Sequence, residues 1–438
     1  MPSRSAAFLW LVRKEWRELL VSRAWWILLL AMGPLTGLSF RNAVRAYAEL
    51  SGPQGAGETL TPMIGVWAPT FSACELAAVF LLPFVAIRIV GAGRQSGALK
   101  LELQQGMPAA GLISAKALVA LAGWFMAMLP ALAAIPLWKS YGGSLHASDI
   151  VALTCGHVLN AGLTVALGAA TAAMADHPST AAILTLGATV GTWILSFLAA
   201  IHGGWWERAA AYTPTAMVGD FQHGLLRLDS TVIALILIAT GLGLAAVWIR
   251  LGLPARRRAF ESICVAALSA VAIFTAARLR PTWDLSENRG NSFALADERA
   301  LRQIREHLSI DVHLAPEDPR RVELERRALS KLRRLLPQLR VTYTAATATG
   351  LYEQSTAGYG EVHYELGTRS AVSRSTTEEG VLEAIYSLAG IQPASAANDP
   401  VYRGHPLAVE PRGSAALYYA IWPAAILAGA IFTRRSLT

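Results

Sequence analysis

Eight long apolar runs, with a polar stretch inserted before the last of them, constrain this chain more than any other feature. The runs lie at about Ala24–Phe40, Phe71–Val90, Ala117–Trp138, Ile150–Ala173, Thr180–Ile201, Thr231–Trp248, Ser262–Ala277 and Ala415–Phe432. Each approaches the roughly 20 residues a helix needs to cross about 30 Å of hydrocarbon. In lipid every backbone polar group must be satisfied internally, which calls for helices. Strands of a membrane barrel alternate polar and apolar residues, and these runs do not. The expected fold is a polytopic α-helical membrane protein of about eight spans. A small α/β domain sits between the seventh and eighth spans. The expected divisions are 1–23, an amphipathic elbow helix; 24–255, a six-span unit; 256–280, the seventh span; 281–412, the polar domain; and 413–438, the eighth span with its tail.

Charge follows the same division. Only 16% of residues are charged, against about 25% in a soluble domain. Residues 281–412 hold 16 Lys/Arg against 18 Asp/Glu, and the remainder holds 22 against 12. The basic surplus therefore flanks the spans, where it sets topology, and gives no signal for nucleic acid. With the N-terminus in the cytoplasm, the short inner segments carry 14 Lys/Arg and the short outer loops carry 5. Arg278 and Arg280 weigh against this orientation, but the bias favours both termini inside. The domain 281–412 is then outside, which in a Gram-negative inner membrane means the periplasm. The start has no cleavable-signal pattern, because Arg13, Lys14, Glu15, Arg17 and Glu18 interrupt its apolar residues. Cys74, Cys155 and Cys264 all fall in spans, so neither a disulfide framework nor a cysteine metal site is expected.

Residues 5–22 form an amphipathic pattern. Phe8, Val12, Trp16, Leu19 and Leu20 fall on one face, and Arg13, Lys14, Arg17 and Glu18 on the other. Such a helix lies in the membrane interface. The loop after the second run reads Arg94-Gln95-Ser96-Gly97-Ala98-Leu99-Lys100-Leu101-Glu102-Leu103-Gln104-Gln105-Gly106-Met107-Pro108, continuing to Lys116. Gly97 permits a break, Leu99, Leu101 and Leu103 form an apolar core, and Pro108 ends it. This segment resembles the cytoplasmic signature of ABC-2 type transporter permeases, E-R-x-x-G-T-L-E-L-L-L-x-x-P ending in a Lys. Gly93 departs from it in place of the acidic residue, and Ala98 in place of Thr. The resemblance implies that Arg94, Gly97, Leu99, Lys100, Glu102, Met107 and Pro108, with Arg13 and Lys14 of the elbow helix, dock an ABC ATPase subunit. A second stretch, Tyr212–Leu225, is similar to the S-P-x-x-x-F-x-x-F-x-x-G pattern before the sixth span of the same family. Pro214, Phe221 and Gly224 carry that match. It implies a short helical hairpin in the outer leaflet, anchored by Trp205 and Trp206.

The polar domain opens with Trp283-Asp284-Leu285-Ser286-Glu287-Asn288-Arg289 and Asn291–Leu295. This resembles the D-L-T-E-N start of the periplasmic auxiliary component of gliding-motility-type ABC transporters, here shortened and fused to its permease. Ile310–Leu314 and Arg340–Thr344 read as strands. Arg320–Leu336 reads as a helix with Val322, Leu329, Leu332 and Leu336 inward. Gly360–Leu366 and Ser370–Arg374 read as a hairpin across Gly367-Thr368, and Thr376–Leu388 as a capped helix. Strand–helix–strand order predicts a parallel pair. His307, His313 and His363 have no metal-ligand spacing.

No G-x-x-x-x-G-K-[ST] loop occurs, so ATP and Mg are expected on the partner ATPase, with no cofactor on this chain. Within the spans, Glu75, His157 and Asn160 are translocation-path candidates, since polar groups there are costly. The rival reading for His157 and Asn160 is helix-to-helix hydrogen bonding. Gly187 and Gly191 form a G-x-x-x-G face that packs within the subunit or at a dimer seam. The resemblance implies a permease subunit, not an enzyme in itself, that pairs with a second copy and two ATPase subunits among membrane lipid. The alternative is a mechanotransmission complex that drives a periplasmic protein without moving a substrate.

Overall fold

A computed structural model describes residues 4–51, 60–104, 107–202, 205–315, 318–336, 338–344, 358–392, 402 and 404–437. Eight of its helical segments are long and apolar enough to cross a membrane, as in a polytopic helical membrane protein. They match the eight apolar runs, although several extend beyond them.

Helix α1 (Arg4–Val21) is followed after Ser22 by the first candidate span, α2 (Arg23–Ser51). The second, Met63–Gln95, joins a π-turn at Met63–Trp67 to α3 (Ala68–Phe80) and α4 (Leu82–Gln95). The third joins α6 (Ala109–Ala127) to α7 (Leu129–Ser140), after the short α5 (Ala98–Gln104). Both joints precede a proline, Pro83 and Pro130, whose rings fit the first turn of a helix but not its interior. The next elements are α8 (Ala147–Met174), α9 (Pro178–His202), α10 (Trp205–Ala210), α11 (Pro214–Gln222), β1 (Leu225–Arg227), α12 (Leu228–Ile249) and α13 (Ala255–Ala276). Strand β2 (Thr282–Asp284) pairs antiparallel with β1.

Helix α8 is central and packs on α3, α4, α6, α11 and α12. Small residues let it in. A Cβ at Gly156 would lie 2.7 Å from the Phe221 side chain, one at Gly162 2.8 Å from Ile238, and one at Gly168 2.8 Å from Ala86. Without a hydrophobic drive between helices in lipid, such close approach is what holds spans together. The G-x-x-x-G face of α9 behaves differently. A Cβ at Gly187 or Gly191 would meet nothing within 4 Å, so neither glycine packs against a described part of this chain.

The contacts divide the chain into two compact units. One comprises Met1–Trp193, Tyr212–Leu285 and Arg403–Thr438, and the other Ile194–Ala211 with Ser286–Tyr402. The second unit contains α14 (Leu295–Leu301), β3 (Leu308–Val312), α15 (Pro319–Leu324), α16 (Ser330–Leu335), β4 (Arg340–Tyr343), β5 (Val362–Leu366), β6 (Arg369–Ser373) and α17 (Glu378–Ala389). Its sheet runs β4-β3-β5-β6, with β3 and β4 parallel and the other pairs antiparallel. The strand–helix–strand expectation is met. Gly367, at φ +61°, turns the β5–β6 hairpin, and the Thr377 hydroxyl accepts from Gly380 N–H to cap α17. Alternate residues of β3 and β5 are buried, among them Ile310, Val312, Val362 and Tyr364. They form a core with Leu324, Leu329, Leu332, Val381 and Ile385.

One inward assignment is corrected. Val322 is 59% exposed, and Leu324 and Ala328 are buried. A π-turn at Glu325–Leu329 widens the helix between α15 and α16, so a uniform 3.6-residue period misplaces its first turn.

The chain returns to the first unit through α18 (Ser414–Ala416), a π-turn at Leu417–Ile421 and α19 (Trp422–Leu437). This last span packs on α2. A Cβ at Gly33 would lie 2.2 Å from the Trp422 ring, and one at Gly37 2.4 Å from Tyr418. Trp422 Nε1 donates to Leu29 O (2.8 Å), and the Tyr418 hydroxyl donates to Pro130 O (3.1 Å).

Candidate functional site

The connections of the first unit gather at two ends. At one end, the residues next to β2 and those before α18 are tied to the bundle. Ser148 Oγ donates to Leu285 O (2.8 Å), Tyr47 OH to His405 O (2.8 Å) and Tyr141 OH to Arg412 O (2.7 Å). At the other end, α1 and α5 lie against the ends of α4, α6 and α8. Leu11, Val90, Leu99, Ile113 and Ala173 form a shared apolar core there.

Charges knit this second end together. Helix α1 buries Leu11, Glu15 and Leu19, one every helical turn. Glu15 thus enters the bundle as the carboxylate of an otherwise apolar face. Its Oε1 accepts from Lys116 Nζ of α6 at 2.7 Å, with both side chains almost wholly buried. Lys116 also donates to Ile89 O of α4 at 3.1 Å. Lys14 lies within 3.2 Å of Glu15 and 2.8 Å of Glu18, and reaches across to Glu102 of α5. Burial works against the Lys14 charge, but the bonds to Glu102 and Glu18 prevail and hold its ammonium above the ordinary range.

The other docking candidates divide by position. Gly97, at φ +76°, makes the break between α4 and α5, a conformation that suits glycine. Arg94 turns inward. Its guanidinium donates to Ala173 O (2.8 Å) and Ala175 O (2.5 Å) and meets Asp176 at 3.3 Å, so it caps the C-terminus of α8. Leu99 and Glu102 are buried, Met107 is half-buried, and Arg13, Lys100 and Pro108 are exposed. The expected Leu99–Leu101–Leu103 core is corrected. Residues 98–104 are helical, so positions 99, 102 and 103 share the inner face and Leu101 is 62% exposed. Leu9, Trp10 and Leu101 leave apolar side chains open at this end.

Between α3, α8, α9 and α11, Glu75 and Asn160 line one partly open pocket of about 90 Å³, together with Thr164, Thr189, Thr192 and Thr215. Trp193 Nε1 lies 3.4 Å from Glu75 Oε1, and Gln222 bonds the same carboxylate. Such a space holds a few waters, each occupying about 30 Å³ of liquid, or one small donor group. Pockets for drug-sized ligands run to about 300–1,000 Å³. His157 does not line this cavity. It lies one turn away on α8 against the Phe71 ring, with centroids 5.5 Å apart. Neither ring nitrogen has a hydrogen-bond partner among the described residues, so the helix-to-helix bond expected of His157 is not made.

Residue spacing did not reveal the Glu15–Lys116 pair, although Lys116 closes the loop motif. Nor did it show that His313 and His363 stack at 4.6 Å, because β3–β5 pairing brings them together. No group of three metal-ligating side chains converges there or elsewhere among the described residues. Comparison with protein-family models, curated proteins and solved structures returned no match to this chain.

Proposed function

We propose that this chain is the membrane permease subunit of an ABC-2 type exporter of the gliding-motility-like class, working with a separate ATPase subunit. The observation that carries the reading is the charged platform of α1 and α5. Lys14–Glu102 joins the two helices, Glu15–Lys116 joins α1 to α6, and Arg94 joins the start of this loop to the end of α8. In this reading a push on α5 is passed to α1 and α6 through charge-assisted bonds instead of being absorbed in a slack loop, while Arg94 ties the end of α4 to α8. In this reading the platform is cytoplasmic, and the α/β domain lies in the periplasm as a shortened auxiliary module. The membrane is the bacterial inner membrane. ATP and Mg bind the partner, and two copies of the chain pair with two ATPase subunits. The unpacked Gly187–Gly191 face of α9 is one candidate seam between copies.

Copurification with the ATPase tests the proposal. Charge reversal and polar replacement on the exposed face, K100E with L101D, is expected to release the ATPase while leaving the permease melting temperature unchanged. Retention of the ATPase by a 94–108 deletion overturns the docking role.

A second reading is that the machine does mechanical work on a periplasmic protein. A dimer structure distinguishes the two. A continuous opening between copies supports export, and a sealed seam supports mechanotransmission.

A further inference from the structure

Between α2 and α19 the bundle leaves a groove of about 330 Å³, separate from the platform and from the Glu75 cavity. Trp26, Ile27 and Leu30 of α2 form one wall, and Ile426 and Ile431 of α19 line the other. Arg23, the first residue of α2, and Arg434, in the last turn of α19, lie toward the same end of the groove. The two helices are locked together further along, where Gly33 and Gly37 receive Trp422 and Tyr418. Toward the arginines they meet again where a Cβ at Gly429 would lie 3.2 Å from the Trp26 indole, and the groove lies beside this contact. Trp26 itself is anchored, its Nε1 donating to Leu20 O at 2.6 Å.

We propose that this groove is a binding site for an anionic phospholipid. An acyl chain would lie along the Trp26–Ile431 cleft, with the phosphate between Arg23 and Arg434. The match is one of charge and shape. The walls suit hydrocarbon, and two arginines lining the same groove suit a phosphate at headgroup depth. The lipid fills the groove between the first and last spans. This inference needs only that the chain spans a membrane and does not depend on the transporter reading.

Quenching of Trp26 tests it in the full chain. The protein is placed in nanodiscs of phosphatidylcholine with a minor fraction of phosphatidylglycerol, brominated near the glycerol on one lipid or the other. Subtracting the signal of a W26F variant isolates Trp26 from the other tryptophans. Attraction of roughly 1 kcal/mol per arginine amounts, for two, to an enrichment of up to about thirtyfold. Brominated phosphatidylglycerol is therefore expected to quench Trp26 at far lower mole fraction than brominated phosphatidylcholine. Unbrominated phosphatidylglycerol should relieve the quenching in the unaltered chain. R23Q/R434Q should abolish the preference and R23K/R434K should keep it. Equal quenching by both lipids, or a preference that survives R23Q/R434Q, overturns the proposal. Relief by inorganic phosphate alone also overturns it, in favour of a free-phosphate site.

Discussion

The buried Glu15–Lys116 pair makes the sharpest demand on the structure. Lys116→Met keeps the length and apolar stem of the side chain but leaves Glu15, 1% exposed at its side chain, without its nearest cation. Breaking a buried pair by removing one partner costs about 3–5 kcal/mol. Lys14 remains 3.2 Å from the same oxygen, which places the cost toward the lower end of that range. The loss has a ceiling, because once α1 lifts off α6 the carboxylate regains water. The damage should therefore appear first as local release of α1, before global unfolding. At 1.36 kcal/mol per decade, a loss of about 3 kcal/mol multiplies the opened population by about a hundred. Hydrogen–deuterium exchange of the α1 amides in lipid nanodiscs reads this directly, with the α8 amides as internal control. The double variant E15L/K116M removes both charges at similar volume and should return α1 protection to the unaltered level or above it. If K116M leaves α1 exchange unchanged, the pair does not hold the helix. If the double variant opens as much as the single one, side-chain packing and not an unpaired charge sets the cost, and the reasoning fails.

Further outcomes are expected elsewhere. Gly37→Val sets a side chain where a Cβ would already lie 2.4 Å from Tyr418. It should cost about 1–3 kcal/mol by overpacking, seen as a lower melting temperature, whereas Gly187→Val, with nothing within 4 Å, should leave an isolated subunit unchanged. In the α/β domain, burial pushes the Asp318 carboxyl up. Its bonds from Arg320 and from the Tyr359 hydroxyl outweigh this and hold it below the usual carboxylate range. The stability this provides is present above the unfolded carboxylate value of about 3.9 and is lost as pH falls through the lower folded value. Asp318→Asn should therefore weaken protection of the β3 amides at neutral pH and flatten its fall in acid. Glu102→Gln should loosen α5 from α1 without unfolding the bundle, reported by faster exchange at residues 98–104 alone.

The spans were legible because lipid imposes a length, and a run of about 20 apolar residues has few other uses. The β5–β6 turn at Gly367 and a threonine cap at Thr376 or Thr377 were legible because local backbone chemistry sets both, and the cap is Thr377. The failures have a common cause in contacts that spacing does not encode. Leu101 was placed inside because alternation was read where the backbone is helical. Val322 was placed inside because a π-turn shifts the phase of its helix. Glu15 read as one charge among several on α1, and only the fold shows that it meets Lys116, which lies 101 residues on. Arg94 was picked out by its motif, yet its guanidinium caps α8, and no motif states where a side chain points. The Glu75–Asn160 cavity was half legible, since both residues stood out as polar groups in apolar runs.

The seat of α19 on α2 bears on how such a protein is made. Trp422 closes onto Leu29 across 393 residues of chain. As synthesis proceeds, the first span must wait with Gly33 and Gly37 uncovered while the other spans insert and the α/β domain is produced. Long-range closures of this kind come late and leave partly assembled states exposed. A nascent chain stalled before residue 414 therefore presents a glycine-lined notch in the bilayer, open to a neighbouring helix or to an insertion chaperone until its own partner arrives.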